Sequence, residues 1–316
     1  MSDDSQARER GSNMSTAAEF YAQATSRNIG LVNESEQAVM QRSRVAIAGM
    51  GAVGGHYLLA LARMGVGHFV IADADSFEVV NLHRQAGAFV HTLGRNKAEV
   101  MAEMVREINP AAEIRVLKEF VTAQNMDAFL DGVDVVLDGI DFFQIDARRQ
   151  LFEKAREKGL YTITCGQLGY GAALMVFDPQ GMRFDDYFGI RPDMTRAERL
   201  ACFSVGMLPS LLRQGGAVDS SQVDIEREKG PALASAIMLC AGVATTEVLK
   251  ILLGRGEPKC APHSFYFDPY RMEYSRTFCK HGRDRLIDRL VRKLAFLKFA
   301  GLRRLHNAER EAVAAA

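Results

Sequence analysis

A doubly wound α/β fold with a mostly parallel sheet is what this 316-residue sequence predicts, and three observations carry it. Short apolar runs alternate with helix-period segments from Arg44 onward, the first run ends in glycines, and the second closes on an aspartate. Apolar runs without polar alternation suit strands buried on both faces. Helices between such strands act as right-handed crossovers, which lay the strands parallel and cover both sides of the sheet.

The elements follow in order. Val45-Ala46-Ile47-Ala48 is the first strand, and Val53, Tyr57, Leu61 and Met64 recur at helical spacing over residues 53–64. Phe69-Val70-Ile71-Ala72 forms the second strand, ended by Asp73. A helix from about Arg95 places Ala98, Met101, Val105 and Ile108 on one stripe, and Asn109-Pro110 stops it. Strands are expected at 113–117 and 133–138, with an intervening helix that Thr122 caps. A helix over about 143–158 ends at Gly159, and Tyr161 to Cys165 is a further strand. The apolar stretch Ala232 to Leu253 is broken by Ser235, Thr245, Thr246, Glu247 and Lys250. A membrane span needs about 20 nearly uninterrupted apolar residues, so this reads as a buried helix of the body and no transmembrane segment is expected.

Composition bounds the rest. Lysine plus arginine and aspartate plus glutamate number 39 each, so overall charge gives no support to general nucleic-acid binding. The five cysteines (Cys165, Cys202, Cys240, Cys260, Cys279) form no C-x-x-C pair. That spacing argues against structural zinc and disulfides and suits a reducing, cytoplasmic setting. Residues 1–20 read as a polar disordered tail, 21–275 as one nucleotide-binding domain, and 276–316 as a basic helical extension. In that extension Leu286, Leu290, Leu294 and Leu297 make a stripe expected to pack on the body or on a second subunit, with a membrane-surface or acidic-partner contact as the alternative.

The chemistry begins at Gly49-Met50-Gly51-Ala52-Val53-Gly54, a G-x-G-x-x-G set between strand and helix, as in Rossmann-like folds. Gly49 permits the tight turn, Gly51 lets phosphates approach the backbone, and Gly54 lets helix and strand pack closely. The helix starting there points free N–H groups and a partial positive charge at an anion. Asp73 stands where it can accept hydrogen bonds from ribose hydroxyls; Asp75 reads as a loop or cap residue, and Asp138 as a strand end. Beyond the second strand, Ser76 to Gln85 contains Asn81, Arg84 and Gln85; Lys97 opens the next helix, and Asp141 follows the central strand in Asp138-Gly139-Ile140-Asp141. A doubly wound sheet brings all of these to one rim. Attack on an α-phosphorus builds charge that fixed cations and Mg²⁺ neutralise, which Arg84, Lys97 and a metal-binding Asp141 can provide. Hydride transfer has no use for so many phosphate clamps, so an NAD-dependent dehydrogenase ranks below an adenylyltransferase.

These residues resemble the ThiF/MoeB/HesA family, relatives of the ubiquitin-activating enzymes. The likeness covers roughly residues 27–178 and the helix Ala241 to Lys250, and it includes the family's N-x-x-R-Q as Asn81, Arg84 and Gln85, its lysine as Lys97 and its acid as Asp141. The resemblance implies ATP and Mg²⁺ as cofactors and adenylylation of a carboxylate, such as the C-terminus of a ubiquitin-like β-grasp protein or peptide. It also implies a homodimer in which Arg27 reaches into the partner's site. Segments Lys97 to Glu103 and Glu119 to Thr122 look like the tRNA threonylcarbamoyladenosine dehydratase branch, an alternative with tRNA as partner; a non-catalytic nucleotide-binding partner subunit is a third reading. The likeness has limits. The zinc-holding C-x-x-C pairs of some members are missing, Ala52 replaces a glycine, and residues 179–235 read as a crossover or lid carrying Asp185, Asp186, Arg191, Asp193, Arg196 and Arg199. Cys202 is the candidate for a thioester, against a packed thiol; Cys165 and Cys240 read as core, and Cys260 and Cys279 sit in polar surroundings.

Overall fold

The protein is described here by a computed structural model over residues 16–207 and 219–314. Helices α1 (Ala17–Ala24) and α2 (Glu34–Arg42) lead into β1 (Arg44–Ala48), α3 (Ala52–Met64), β2 (His68–Ala72), α4 (Lys97–Ile108) and β3 (Glu113–Leu117). The one-turn α5 (Met126–Phe129), β4 (Val135–Asp138), α6 (Ile145–Glu157) and β5 (Tyr161–Leu168) complete the parallel part. Then come β6 (Gly171–Phe177), α7 (Phe184–Phe188), α8 (Arg196–Met207), α9 (Ala234–Leu253), β7 (His263–Asp268), β8 (Glu273–Phe278), α10 (Leu286–Lys298) and α11 (Ala300–Ala314).

All eight strands lie in one sheet, ordered β3-β2-β1-β4-β5-β6-β7-β8. The first five positions of that order are parallel, and β6, β7 and β8 each run antiparallel to the strand before. The mostly parallel expectation therefore holds, with a three-strand antiparallel extension that the run patterns did not announce. Strand periodicity sorts the core. Val45, Ile47, Phe69, Ile71, Val135 and Leu137 face α3, α4 and α9, while Ala46, Ala48, Val70 and Val136 face α5 and α6. On β6, Ala173, Met175 and Phe177 turn toward a separate aromatic core under α7 and α8. The apolar α9 packs along α3, β5 and β6, so its length and composition, which would also fit a membrane span, are used against the sheet.

Several expectations change. Residues from Ala17 are helical, with the Thr16 side chain accepting from the Glu19 N–H, so the tail is shorter than 1–20; residues 1–15 lie outside the described part. Thr122 does not cap α5. The Asn125 side chain instead accepts from the Thr122 N–H at 2.8 Å, and the turn before Gly132 leaves room for a single helical turn. The basic extension is two helices rather than one, packed on α8 and on each other. Its leucine stripe does not pack on the described body: Leu286, Leu290, Leu294 and Leu297 are 84%, 52%, 46% and 67% exposed. The inward face of α10 carries Asp288 and Arg292 instead, because buried ion pairs turned that face to the body. Cys279, expected in polar surroundings, is buried.

One buried ion pair fixes the end of the central strand. Arg148 of α6 donates through Nε to the Asp138 carboxylate at 2.6 Å, and through Nη2 to the Ile140 carbonyl at 2.5 Å. Both residues are almost fully buried, and the Phe203 ring lies 4.6 Å below the guanidinium. Arg148→Met should cost about 3–5 kcal/mol by urea unfolding, since it strands a buried carboxylate, whereas adding Asp138→Asn should recover part of that loss.

Candidate active site

The mouth is built where β1, β2 and β4 end and α3 begins. Gly49 has φ +91°, and a methyl on it would lie 2.3 Å from the Gly139 carbonyl oxygen. A methyl on Gly54 would lie 1.9 Å from the Gly49 carbonyl oxygen, and one on Gly139 would fall 2.7 Å from that same atom. Three backbones thus meet where no side chain fits. Gly51, at the N-cap of α3, is different: a methyl there would meet only the Gln85 Nε2, at 3.8 Å. The first-turn N–H groups of α3 have no acceptor within the helix, so this open side is suited to an anion.

Asp73 is buried, and its two oxygens take the Met50 N–H at 2.7 Å and the Asp75 N–H at 2.8 Å. Burial pushes its carboxyl above the usual carboxylate range, opposed by the Met50 hydrogen bond and by Lys97. In this arrangement it ties the glycine loop to β2. Asn96 caps α4 on the Glu99 N–H and reaches the Asp73 carbonyl, which seats Lys97 at the first position of the helix. Lys97 is buried and its Nζ lies 3.0 Å from Asp75, so Asp75 is the lysine's counter-ion as well as a loop residue.

Residues 78–85 fold as tight turns. The buried Asn81 accepts the Glu78 N–H at 2.9 Å and so closes the turn that presents the next four side chains. Arg84 donates to the Val80 carbonyl at 2.9 Å and has no carboxylate ion pair among the described residues. Burial lowers its pKa while Asp141 raises it. Gln85 is buried against the glycine loop, and its Oε1 has no hydrogen-bond partner. Across the mouth, Asp141 is accessible and accepts the Phe143 N–H at 2.9 Å. Its carboxyl is held above the usual range, first by desolvation and further by Glu228, against the Phe143 hydrogen bond, Arg148 and Lys97. Asp141 therefore lies within electrostatic reach of both Arg84 and Lys97.

Arg27 is not brought to this mouth. Its neighbour Asn28 donates to the Met64 carbonyl at the far end of α3, roughly 18 Å of helix from Gly51, and Arg27 itself is exposed. A cleft of about 780 Å³ lies at that same far end, between α1 and α4, remote from the glycine loop. Cys202 is buried and receives an Arg292 N–H at 3.0 Å; burial raises its pKa, partly offset by Arg292, so it sits as a packed thiol. Cys165 and Cys240 are core, as expected, and Cys260 is half-buried with its thiol pushed up to about 11 by burial.

Three residues at the mouth escaped the sequence reading. Gly139 was quoted only as a neighbour, although its backbone contact with Gly49 closes the loop. Arg148 sits on the apolar stripe Ile145, Arg148, Phe152 and Ala155, and a charge on a core stripe signals a buried partner. Glu228 carried no signal. It adopts φ +52° and is held by Arg196 and by Gln144 Nε2 at 2.8 Å. It brings the 219–231 segment beside Asp141. In the described part of the segment expected to be a crossover or lid, Asp185 pairs with Arg149 at 2.6 Å and Arg199 with Asp146 at 2.8 Å; residues 208–218 lie outside the described part.

The two glycines make separable predictions. Gly54→Ala should destabilise the fold by at least the roughly 1–3 kcal/mol of overpacking, read as a lowered melting temperature. Gly51→Ala should leave the melting temperature unchanged while weakening nucleotide binding in titration calorimetry.

Comparison with known proteins bears on the family and the fold. The chain is 32% identical over 131 residues to the tRNA threonylcarbamoyladenosine dehydratase of Haemophilus influenzae, covering 41% of this chain and 49% of that protein. It is 30% identical over 169 residues to the sulfur carrier protein ThiS adenylyltransferase of Escherichia coli, covering 52% and 64% respectively. The chain thus spans about half to two thirds of the length of these relatives. Among solved structures, E. coli MccB crystallised with MccA superposes with a TM-score of 0.62 at 17% identity, covering 83% of this chain and 73% of that one, a likeness of fold. The ThiF family model matches residues 25–285, and by that match, on this fold and around this mouth, the chain belongs to the ThiF family.

Proposed function

We propose that this chain transfers the adenylyl group of Mg-ATP to a carboxylate. The observation that supports the reading is that Asp141 stands within electrostatic reach of Arg84 and Lys97, while Gly51 at the head of α3 is open beside Gln85. The residues fit the nucleotide. An open glycine stands at the helix N-terminus, and among the described residues a buried Gln85 oxygen lacks a hydrogen-bond partner and Arg84 has no carboxylate ion pair. One accessible carboxylate, Asp141, matches what magnesium takes beside phosphate oxygens.

In the reaction, an acceptor carboxylate oxygen attacks the α-phosphorus, the bond to the bridging oxygen breaks, and pyrophosphate leaves with the electron pair. The backbone after Gly49 and the start of α3 hold the phosphates, and Asp73 and Gln85 face the nucleoside side. Lys97 exchanges part of its contact with Asp75 for a phosphate oxygen, and Arg84 neutralises charge on the leaving group. Magnesium, held by Asp141 and the phosphates, supplies further charge neutralisation. In this reading Arg27 serves a second copy of the chain.

The acceptor we favour is the C-terminal carboxylate of a ubiquitin-like protein or peptide. A second reading has a tRNA-borne threonylcarbamoyl carboxylate as acceptor, favoured by the identity to the dehydratase. A purely structural partner subunit is disfavoured because all three charged residues are present in one mouth. Exchange of labelled pyrophosphate into ATP tests the chemistry, and Arg84→Ala and Asp141→Ala should each lower it by at least about 100-fold. Unaltered exchange in both variants rejects the proposal. Gel shift with tRNA over a salt series separates the acceptors, since phosphate contacts weaken steeply with salt.

Asp141 must be ionised to hold magnesium, and its carboxyl is held high by burial. Magnesium-dependent ATP affinity should therefore fall as pH drops, beginning at a higher pH than for an ordinary surface aspartate. Calorimetry across pH should show this, and Asp141→Asn should remove the dependence.

A further inference from the structure

Helix α10 is built inside out. At about 100° per residue, Leu286, Ile287, Leu290, Leu294 and Leu297 fall within a roughly 100° arc, and that arc is the exposed one. The opposite face seats Ala295 and Phe296 on the aromatic core and carries buried ion pairs beside them. Asp288 accepts from Arg285 Nε at 2.8 Å and stands 3.7 Å from the buried Arg283, while Arg292 donates to the Cys202 thiol and pairs with Asp284. The leucines cannot roll inward without breaking these buried pairs, so the apolar face stays presented.

We propose that α10 seats this chain on the surface of an anionic lipid bilayer. The charge distribution selects that occupant. Asp288 is the one acid in α10 and it is buried; Arg285 pairs with it and Arg289 with Asp284, so the unneutralised charge of the outward rim comes from Lys293 and Lys298. Lys293 and Lys298 have no ion-pair partner among the described residues; Lys298 lies over the Phe299 ring instead. A second copy would bring like charges face to face. Protein hot spots favour tryptophan, tyrosine and arginine with leucine under-represented, whereas aliphatic residues edged by lysine and arginine are the composition of interfacial helices. Long basic side chains at the edges can keep their heads at the phosphates while their stems lie along the apolar face.

Flotation of the full chain with vesicles of phosphatidylcholine and phosphatidylglycerol, against phosphatidylcholine alone, tests this. The wild type should float with the anionic vesicles and not with the neutral ones, and high salt should release it. Leu290→Glu and Leu294→Glu should each lower the bound-to-free ratio by roughly tenfold or more, and Lys293→Glu with Lys298→Glu should abolish the anionic preference. Melting temperature and nucleotide binding should not change, since these side chains lie outside the mouth and are exposed. Failure of the folded wild type to float, or flotation unaffected by the leucine variants, overturns the proposal. A change in molecular mass by light scattering in those variants would also overturn it, by assigning the face to a second copy. Nucleotide binding is read separately, so loss of the catalytic reading would leave this result standing.

Discussion

The whole mouth rests on a steric constraint: the backbones of Gly49, Gly54 and Gly139 meet with no room for a β-carbon. That contact sets the start of α3 against the ends of β1 and β4, and everything catalytic is positioned from it. Asp73 then locks the loop to β2 through the Met50 N–H, and Arg148 locks the turn after β4 through Asp138 and Ile140. Two buried carboxylates thus satisfy or anchor backbone on either side of the glycine loop, while Asp141 stays accessible, as the proposed metal-holding role requires. A strand end with an unfixed turn would spread that carboxylate over many orientations, and electrostatic stabilisation depends on fixed ones.

The charges are arranged to be available without being bare. Lys97 is held by Asp75, Arg84 by its own turn's carbonyl, and Asp141 by the Phe143 N–H. Each therefore keeps a fixed orientation in a partly desolvated rim. Glu228 adds a second negative group from a distant turn, which raises the Asp141 carboxyl and ties the 219–231 segment to the mouth. Any cation entering there relieves that repulsion.

The parallel half was legible because buried strands are continuous apolar runs and the glycine turn follows the first of them. Boundaries shifted by only one or two residues where caps are local, as at Asn96 and α4. The antiparallel extension was not read: β6 is buried along its whole length, so Gly171 to Phe177 shows no alternation to separate strand from helix. The leucine stripe was read with the right period, and of the contacts expected for it the one with the chain's own body is not made. Periodicity finds an apolar face, but only the buried partners of Asp288 and Arg292 decide where it points. Of the mouth, the motif residues were visible in the sequence, while Glu228 was not, because its place comes from a left-handed turn and partners far away in the chain.

The location of Arg27 has a kinetic meaning. An arginine at the opposite end of α3 from the glycine turn does not reach its own chain's mouth, and under the proposal above it would serve a second copy. Under that proposal, turnover that relies on it becomes second order in protein well below the dissociation constant of the pair, and its specific rate declines on dilution through that value. Turnover that relies on Arg84, Lys97 and Asp141 alone is indifferent to dilution. The length of a single helix thus separates a self-sufficient catalyst from one whose output is set by its own abundance.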